Sequence, residues 1–206
     1  MAGPTEVTIE ITTLAEVMEF SNLPAPQPPK ITLDGNALPT PSSPPGLPSG
    51  FQVVVFDPAQ DITQPAAIVS NEYQIMIQVD NQWGSWYQYM YENIIRQILT
   101  SGNVQQQLVV IASFGLDANA PPTNTGCERF LDLGADSQLQ SWINGVDAGS
   151  QGGDYLCGFP ANYILVGNPS LSYGDGSEVY EAAVSGQSSV TTTLSVTVGN
   201  SVTPPS

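Results

Sequence analysis

The side chains able to do chemistry are few, and their types exclude more than they select. Among 206 residues there is no histidine, one lysine (Lys30) and two arginines (Arg96 and Arg129), against 19 acidic residues. Without histidine there is no Ser-His-Asp triad, no Cys–His pair and no histidine-rich zinc site. Lys30 lies in a proline-rich segment, which is no place for a buried Schiff-base amine. No Walker-type phosphate loop and no dinucleotide fingerprint follows a strand. What remains is acidic. Asp175, Glu178 and Glu181 surround Gly174 and Gly176. Their spacing does not fit an EF-hand, although a calcium site completed by backbone carbonyls stays open. Glycoside hydrolysis needs two carboxyls about 5–9.5 Å apart across a cleft, and no motif selects such a pair. The expectation is a chain that is not an enzyme and has no cofactor and no metal.

Composition narrows the partners. A net charge of −16 with three dispersed cations cannot neutralise a phosphate backbone, so no nucleic acid is expected. The same deficit argues against anionic membranes. No window approaches 18 uninterrupted apolar residues, and the first residues lack a basic, then apolar, leader. The expected place of synthesis is a host cytoplasm. Charged residues are only 11 % of the chain, so most of the surface must be neutral and polar. Cys127 and Cys157 stand 30 apart, outside any metal spacing. They read either as two buried thiols or as one disulfide.

Rings form the other candidate surface. Trp83, Trp86, Tyr87, Tyr89 and Trp142 could stack on sugars, as amphipathic rings do, or fill a core.

The elements that would position these residues follow from periodicity. Residues 5–13 alternate polar and apolar, so Val7, Ile9 and Ile11 share one face of a strand. Residues 190–198 alternate similarly, with Val190, Leu194, Val196 and Val198. Two polar, threonine-rich strands at the chain ends either pair with each other or add to a neighbouring chain. Val7, Ile9, Ile11, Leu194, Val196 and Val198 are therefore the candidate assembly residues. Between 21 and 50 lie nine of the 18 prolines, which suits an extended linker or a strap. One short strand, Lys30 to Leu33, precedes an Asp34-Gly35 turn.

The strongest run spans residues 50–167. Val53 to Phe56 read as a strand buried on both faces, Leu108 to Ala112 is a second apolar run, and Asn162 to Gly167 a last apolar strand. Residues 75–79 are a further strand candidate. Residues 85–100 carry Tyr87, Met90, Tyr91, Ile94, Ile95, Ile98 and Leu99 at helical spacing, between a Ser85 cap and Gly102. A short helix ends at Gly134, and another follows Asp136 with Leu139, Trp142 and Ile143. The expected fold class is α+β: a compact mixed domain of two small antiparallel sheets with short flanking helices. An N-terminal strand arm (1–20), a proline-rich strap (21–49) and a polar C-terminal strand and tail (184–206) would flank a core of 50–183. That core is expected to stay folded without residues 1–48.

Five pieces occur in a telling order: Gly50-Phe-Gln-Val-Val-Val-Phe56, Ile94-Ile-Arg-Gln-Ile-Leu-Thr-Ser-Gly102, Leu108-Val-Val-Ile-Ala-Ser113, Phe130-Leu-Asp-Leu-Gly134 and Tyr163-Ile-Leu-Val-Gly167. Together with residues 175–181 they resemble the ILEI/PANDER-like domain over about 130 residues. The cysteines depart from the pattern of its cytokine-like members, and the double-acid segment after the Ala-Ser strand is reduced to Asp117. The resemblance implies two small sheets flanked by short helices and no catalytic machinery. Some relatives recognise glycans, and the domain also occurs in phage particle proteins. The functional expectation is a non-enzymatic structural protein of a bacteriophage virion, as capsid decoration or as a tail or baseplate component. Its partners would be neighbouring virion proteins and copies of itself. The alternative is a carbohydrate-binding module, reading host receptors on the same particle.

Overall fold

The computed structural model describes residues 5–16, 28–41, 50–57, 59–75, 107–114, 130–135, 162–169, 171–172, 174–181 and 187–198. They form nine strands. These are β1 (Thr5–Glu16), β2 (Lys30–Leu33), β3 (Asn36–Ala37), β4 (Gly50–Phe56), β5 (Ile68–Ile75), β6 (Leu108–Phe114), β7 (Asn162–Gly167), β8 (Ser177–Glu181) and β9 (Gln187–Val198). Every pairing is antiparallel. Sheet A has the order β3-β2-β1-β9 and sheet B the order β5-β4-β6-β7-β8.

Alternation along β1 dictates how the sheets meet. Val7, Ile9 and Ile11 are buried while Glu6, Thr8 and Glu10 are exposed, the period-two pattern of a strand with one wet face. Ile9 pairs with Leu33 and Ile11 with Ile31, so β2 extends the same apolar face. That face packs on Val54, Phe56, Leu108, Val110, Ala112, Ile164 and Val166 of sheet B in one core. The result is a sandwich, the usual solution for two sheets that each have a dry face.

Sheet B is dry on its other face as well. Phe51, Val53, Val55, Val109, Ile111, Tyr163 and Leu165 point away from sheet A and are all buried. Residues 130–135 cover part of them. Phe130 stacks on Tyr163 with centroids 5.4 Å apart, and Phe51 meets both rings at 5.7 and 6.5 Å. Such offset and edge contacts suit the ring quadrupoles. The turn is held close by glycine. A Cβ on Gly167 would stand 2.0 Å from the carbonyl oxygen of Leu133, and one on Gly134, at φ +95°, would stand 2.8 Å from the nitrogen of Gly176. Asn168 N–H donates to Leu133, Gly176 N–H to Gly134 and Gly174 N–H to Ala135.

The expected α+β class is corrected by this architecture. Among the described residues there is no helix of seven residues or more; the 3-10 turn Pro65–Ala67 and a single turn at Phe130 and Leu131 are the helical pieces. The apolar run of β4 did signal burial on both faces, and sheet A provides one of its covers. The expected helices at 85–100 and after Asp136 lie outside the described residues, as do Cys127, Cys157, Asp117 and residues 76–79.

Candidate functional site

The candidate assembly residues fall in one sheet of this chain. Val7, Ile9 and Ile11 are at most 1 % exposed and belong to the core shared with sheet B. β9 runs antiparallel to β1 along its whole length, with Leu194 in register with Ile9, Val196 with Val7 and Val198 with Thr5. Of the two arrangements open to the end strands, pairing with each other is the one observed. β1 is thus an interior strand. β9 lies at the margin of sheet A, above β7 and β8.

What the strands leave available is their outer face and their edges. On the outer face Thr8, Thr191, Thr193 and Ser195 are exposed, with Glu6 and Glu10 between them. Thr12 and Thr191 hydroxyls share a hydrogen bond of 2.9 Å across the β1–β9 pair. Four strands form sheet edges: β3, β9, β5 and β8. An open edge templates further pairing unless it is short, charged, bulged or covered. β3 has two residues. β5 carries Glu72, and the β4–β5 register is broken by an irregularity at Val55 and Phe56. β8 has five residues, of which Glu178 and Glu181 are acidic. β9 has twelve residues with no charge and no proline.

Asp175 is exposed in the turn before β8, and the Glu178 carboxylate accepts a hydrogen bond from the Tyr163 hydroxyl. Among the described residues no three potential ligands are close enough to hold an ion. Trp83, Trp86, Tyr87, Tyr89 and Trp142 lie outside the described residues, so the sugar-platform expectation has no geometry here. Among the described residues no helix is long and apolar enough to cross a membrane.

Two polar features went unnoticed in the sequence. Gln52 interrupts the apolar run of β4 and is buried. Its Nε2 donates to Asn71 Oδ1 at 2.8 Å, and Asn71 Nδ2 donates to the Pro39 carbonyl at 2.7 Å, tying β4 and β5 to the chain leaving β3. Among the described residues, Gln52 Oε1 is buried and meets no hydrogen-bond partner. Tyr73 lies in register with Gln52, its ring edge-on to Phe114, and burial raises the pKa of its hydroxyl. The second feature is the loop 57–64. Asp57 Oδ1 accepts from Ala59 N–H, and Asp61 Oδ1 accepts from both the hydroxyl and the N–H of Thr63. The Thr63 hydroxyl, then its N–H, holds Asp61 below the ordinary carboxylate value of 3.8. These are turn-forming bonds of the Asx kind, readable in principle from the Asp-Ile-Thr sequence.

No protein-family model matches the chain, and no curated protein matches it. Among the described residues, the fold and the edge geometry together define a mostly β, two-sheet sandwich with one long, uncharged edge strand.

Proposed function

We propose that the chain is a non-enzymatic structural protein that works through contacts between subunits, as a component of a bacteriophage particle in a capsid-decoration, tail or baseplate position. The observation that carries this is a contrast in charge. The chain has a net charge of −16, yet the longest edge strand, β9, has no charged residue over twelve positions. Like charge keeps molecules apart in solution. A neutral open edge is where a sheet accepts another chain. The phage setting is supported by the resemblance of residues 50–183 to ILEI/PANDER-like domains, which occur in phage particle proteins. Three of the matching pieces are the neighbouring strands β4, β6 and β7. Fold alone does not assign function, so the contact surface has to carry it.

The test is copurification. Particles banded from the lysate in which the chain is made should contain it in fixed proportion to the major capsid or tail protein. A chain found only in the soluble fraction refutes the structural role. Retention on a glycan array by a chain absent from particles favours the carbohydrate-binding alternative. Turnover of glycans or esters that disappears on one acidic substitution refutes the non-enzymatic part.

A further inference from the structure

We propose that two copies of the chain join along the outer edge of β9, strand against strand and antiparallel, about a two-fold axis perpendicular to sheet A. The inference rests on the reading that the chain works through subunit contacts, and it names the surface and the partner.

Backbone geometry supplies the first argument. In an antiparallel ladder, successive residues turn their N–H and C=O groups to alternate sides. β1 takes one side of β9 over its whole length. About half of the β9 residues therefore direct their peptide groups to the other side. Among the described residues no strand pairs there. The remaining edges are two residues long, irregular, or acidic, as described above.

Charge chooses the occupant. A basic partner would be drawn to an acidic strip, and β9 is not one. A second copy carries the same net charge of −16, and β9 adds no charge of its own to that repulsion. The nearest acids on the outer face, Glu6 and Glu10, lie on β1, one strand in from the edge. Across the proposed joint, Glu10 of one copy and of the other, each in register with Thr193, would be three strand spacings apart laterally, about 14 Å at ~4.8 Å each. That exceeds the Debye length of about 8 Å at physiological salt, so their repulsion is largely screened.

Symmetry then fixes the side chains. A two-fold axis perpendicular to a sheet makes neighbouring strands antiparallel and keeps each face on its own side. Outward residues must therefore oppose outward residues. Registers that use nearly all of β9 are centred on Thr192 or Thr193. In one, Thr193 meets its own counterpart and Thr191 meets Ser195; in the other, Thr193 meets Thr191. Thr191, Thr193 and Ser195 are all exposed on the outer face. Hydroxyl pairs of this kind bond across strands, as Thr12 and Thr191 already do within the chain. The product is an eight-stranded continuous sheet closed by two-fold symmetry, the commonest way for identical chains to associate.

Native mass spectrometry and sedimentation of the full chain test this. The wild type is expected as a two-chain species. Thr193→Glu and Thr193→Lys each place like charges at the axis or one residue from it and should raise the dissociation constant by about tenfold or more. An equimolar mixture of the two variants should restore a species with one chain of each. Far-UV circular dichroism checks that each variant is folded. Should either misfold, hydrogen exchange on the wild type decides: amides within 187–198 should gain protection as concentration rises. A wild type that stays single-chain to its solubility limit overturns the inference, as does a pair indifferent to both charges. A single-chain protein that still copurifies with particles overturns the β9 joint and leaves the structural role standing. A charge-controlled pair absent from particles supports the joint and refutes the particle role.

Discussion

Replacing Ile9 by alanine separates a strand that belongs to the core from one that serves as a free arm. Ile9 has no exposed surface, sits in register with Leu33 on one side and Leu194 on the other, and belongs to the core between the sheets. Ile9→Ala removes three carbons, worth about 2.4 kcal/mol at ~0.8 kcal/mol each. β1 is held by partners on both sides, so it cannot readily collapse into the gap, and the cavity adds to the loss. Measured isoleucine-to-alanine costs of about 2–5 kcal/mol bracket the expectation here of about 3–4 kcal/mol. For a chain of this size, with ~2–4 °C lost per kcal/mol, Tm should fall by roughly 6–16 °C. Thr8→Ala is the control. It alters an exposed residue of the same strand, and its backbone bonds to Asp34 persist, so it should stay within about 0.5 kcal/mol of wild type. Urea unfolding of the full chain, followed by far-UV circular dichroism, reads both changes. If Ile9→Ala costs no more than Thr8→Ala, β1 does not share the core and the sandwich is wrong.

Three further outcomes are expected. Gly167→Ala drives a Cβ into the Leu133 carbonyl and should cost about 3 kcal/mol or more, whereas Gly35→Ala, at φ +77° in open space, should cost about 1–2 kcal/mol; the same unfolding assay compares them. Gln52→Met removes a buried oxygen that has no partner among the described residues, along with one hydrogen bond to Asn71, so stability should stay within about 1 kcal/mol of wild type or rise; a larger fall would mean that Oε1 is bonded in solution. Asp61 has a depressed pKa in the fold, so its contribution is present above 3.8 and lost as pH falls through the folded value; the Tm gap between wild type and Asp61→Ala should hold from neutral pH down to about 4 and close below it, and a gap that persists in stronger acid refutes the Thr63 bonds as its cause.

Strand periodicity was the most legible part of the chain. Val7, Ile9 and Ile11 alternate with polar residues, and that alone places β1 with one dry face. The run in β4 likewise announces a strand covered on both sides, and those in β6 and β7 announce apolar strands. An apolar run says that a cover exists and nothing about what it is made of. Here one cover comes from residues 5–13, which precede the proline-rich stretch, and 31–33, which lie inside it. The prolines suggested a boundary, yet β2 lies within that stretch and hydrogen-bonds to β1. β5 was missed because it is an edge: Val69 is 55 % exposed, Glu72 faces water, and the pattern from Ile68 onward is neither alternating nor continuous. β8 was hidden by two glutamates and a run of glycines, whose meaning emerges only when Gly134 and Gly176 are seen in contact. Of the candidate site, β9 was visible as a strand, but its standing as an edge was not. That depends on which side β1 occupies, a fact of topology that no local pattern encodes.

The two sheets divide the work of a sandwich unequally. Sheet B holds residues buried on both faces and is stabilised by aliphatic and aromatic packing with little tolerance for added volume, as Gly167 demonstrates. Sheet A is buried on one face only, and its other face is hydroxyl-rich with scattered acids. Hydroxyl side chains on a flat sheet give a neighbour little to exclude it by charge or shape. Their number in β9 therefore means that specificity cannot come from side-chain complementarity alone. In the β9 joint proposed above it comes from the backbone edge, whose register symmetry sets, while the net charge of −16 disfavours approach in general and β9 adds no charge of its own.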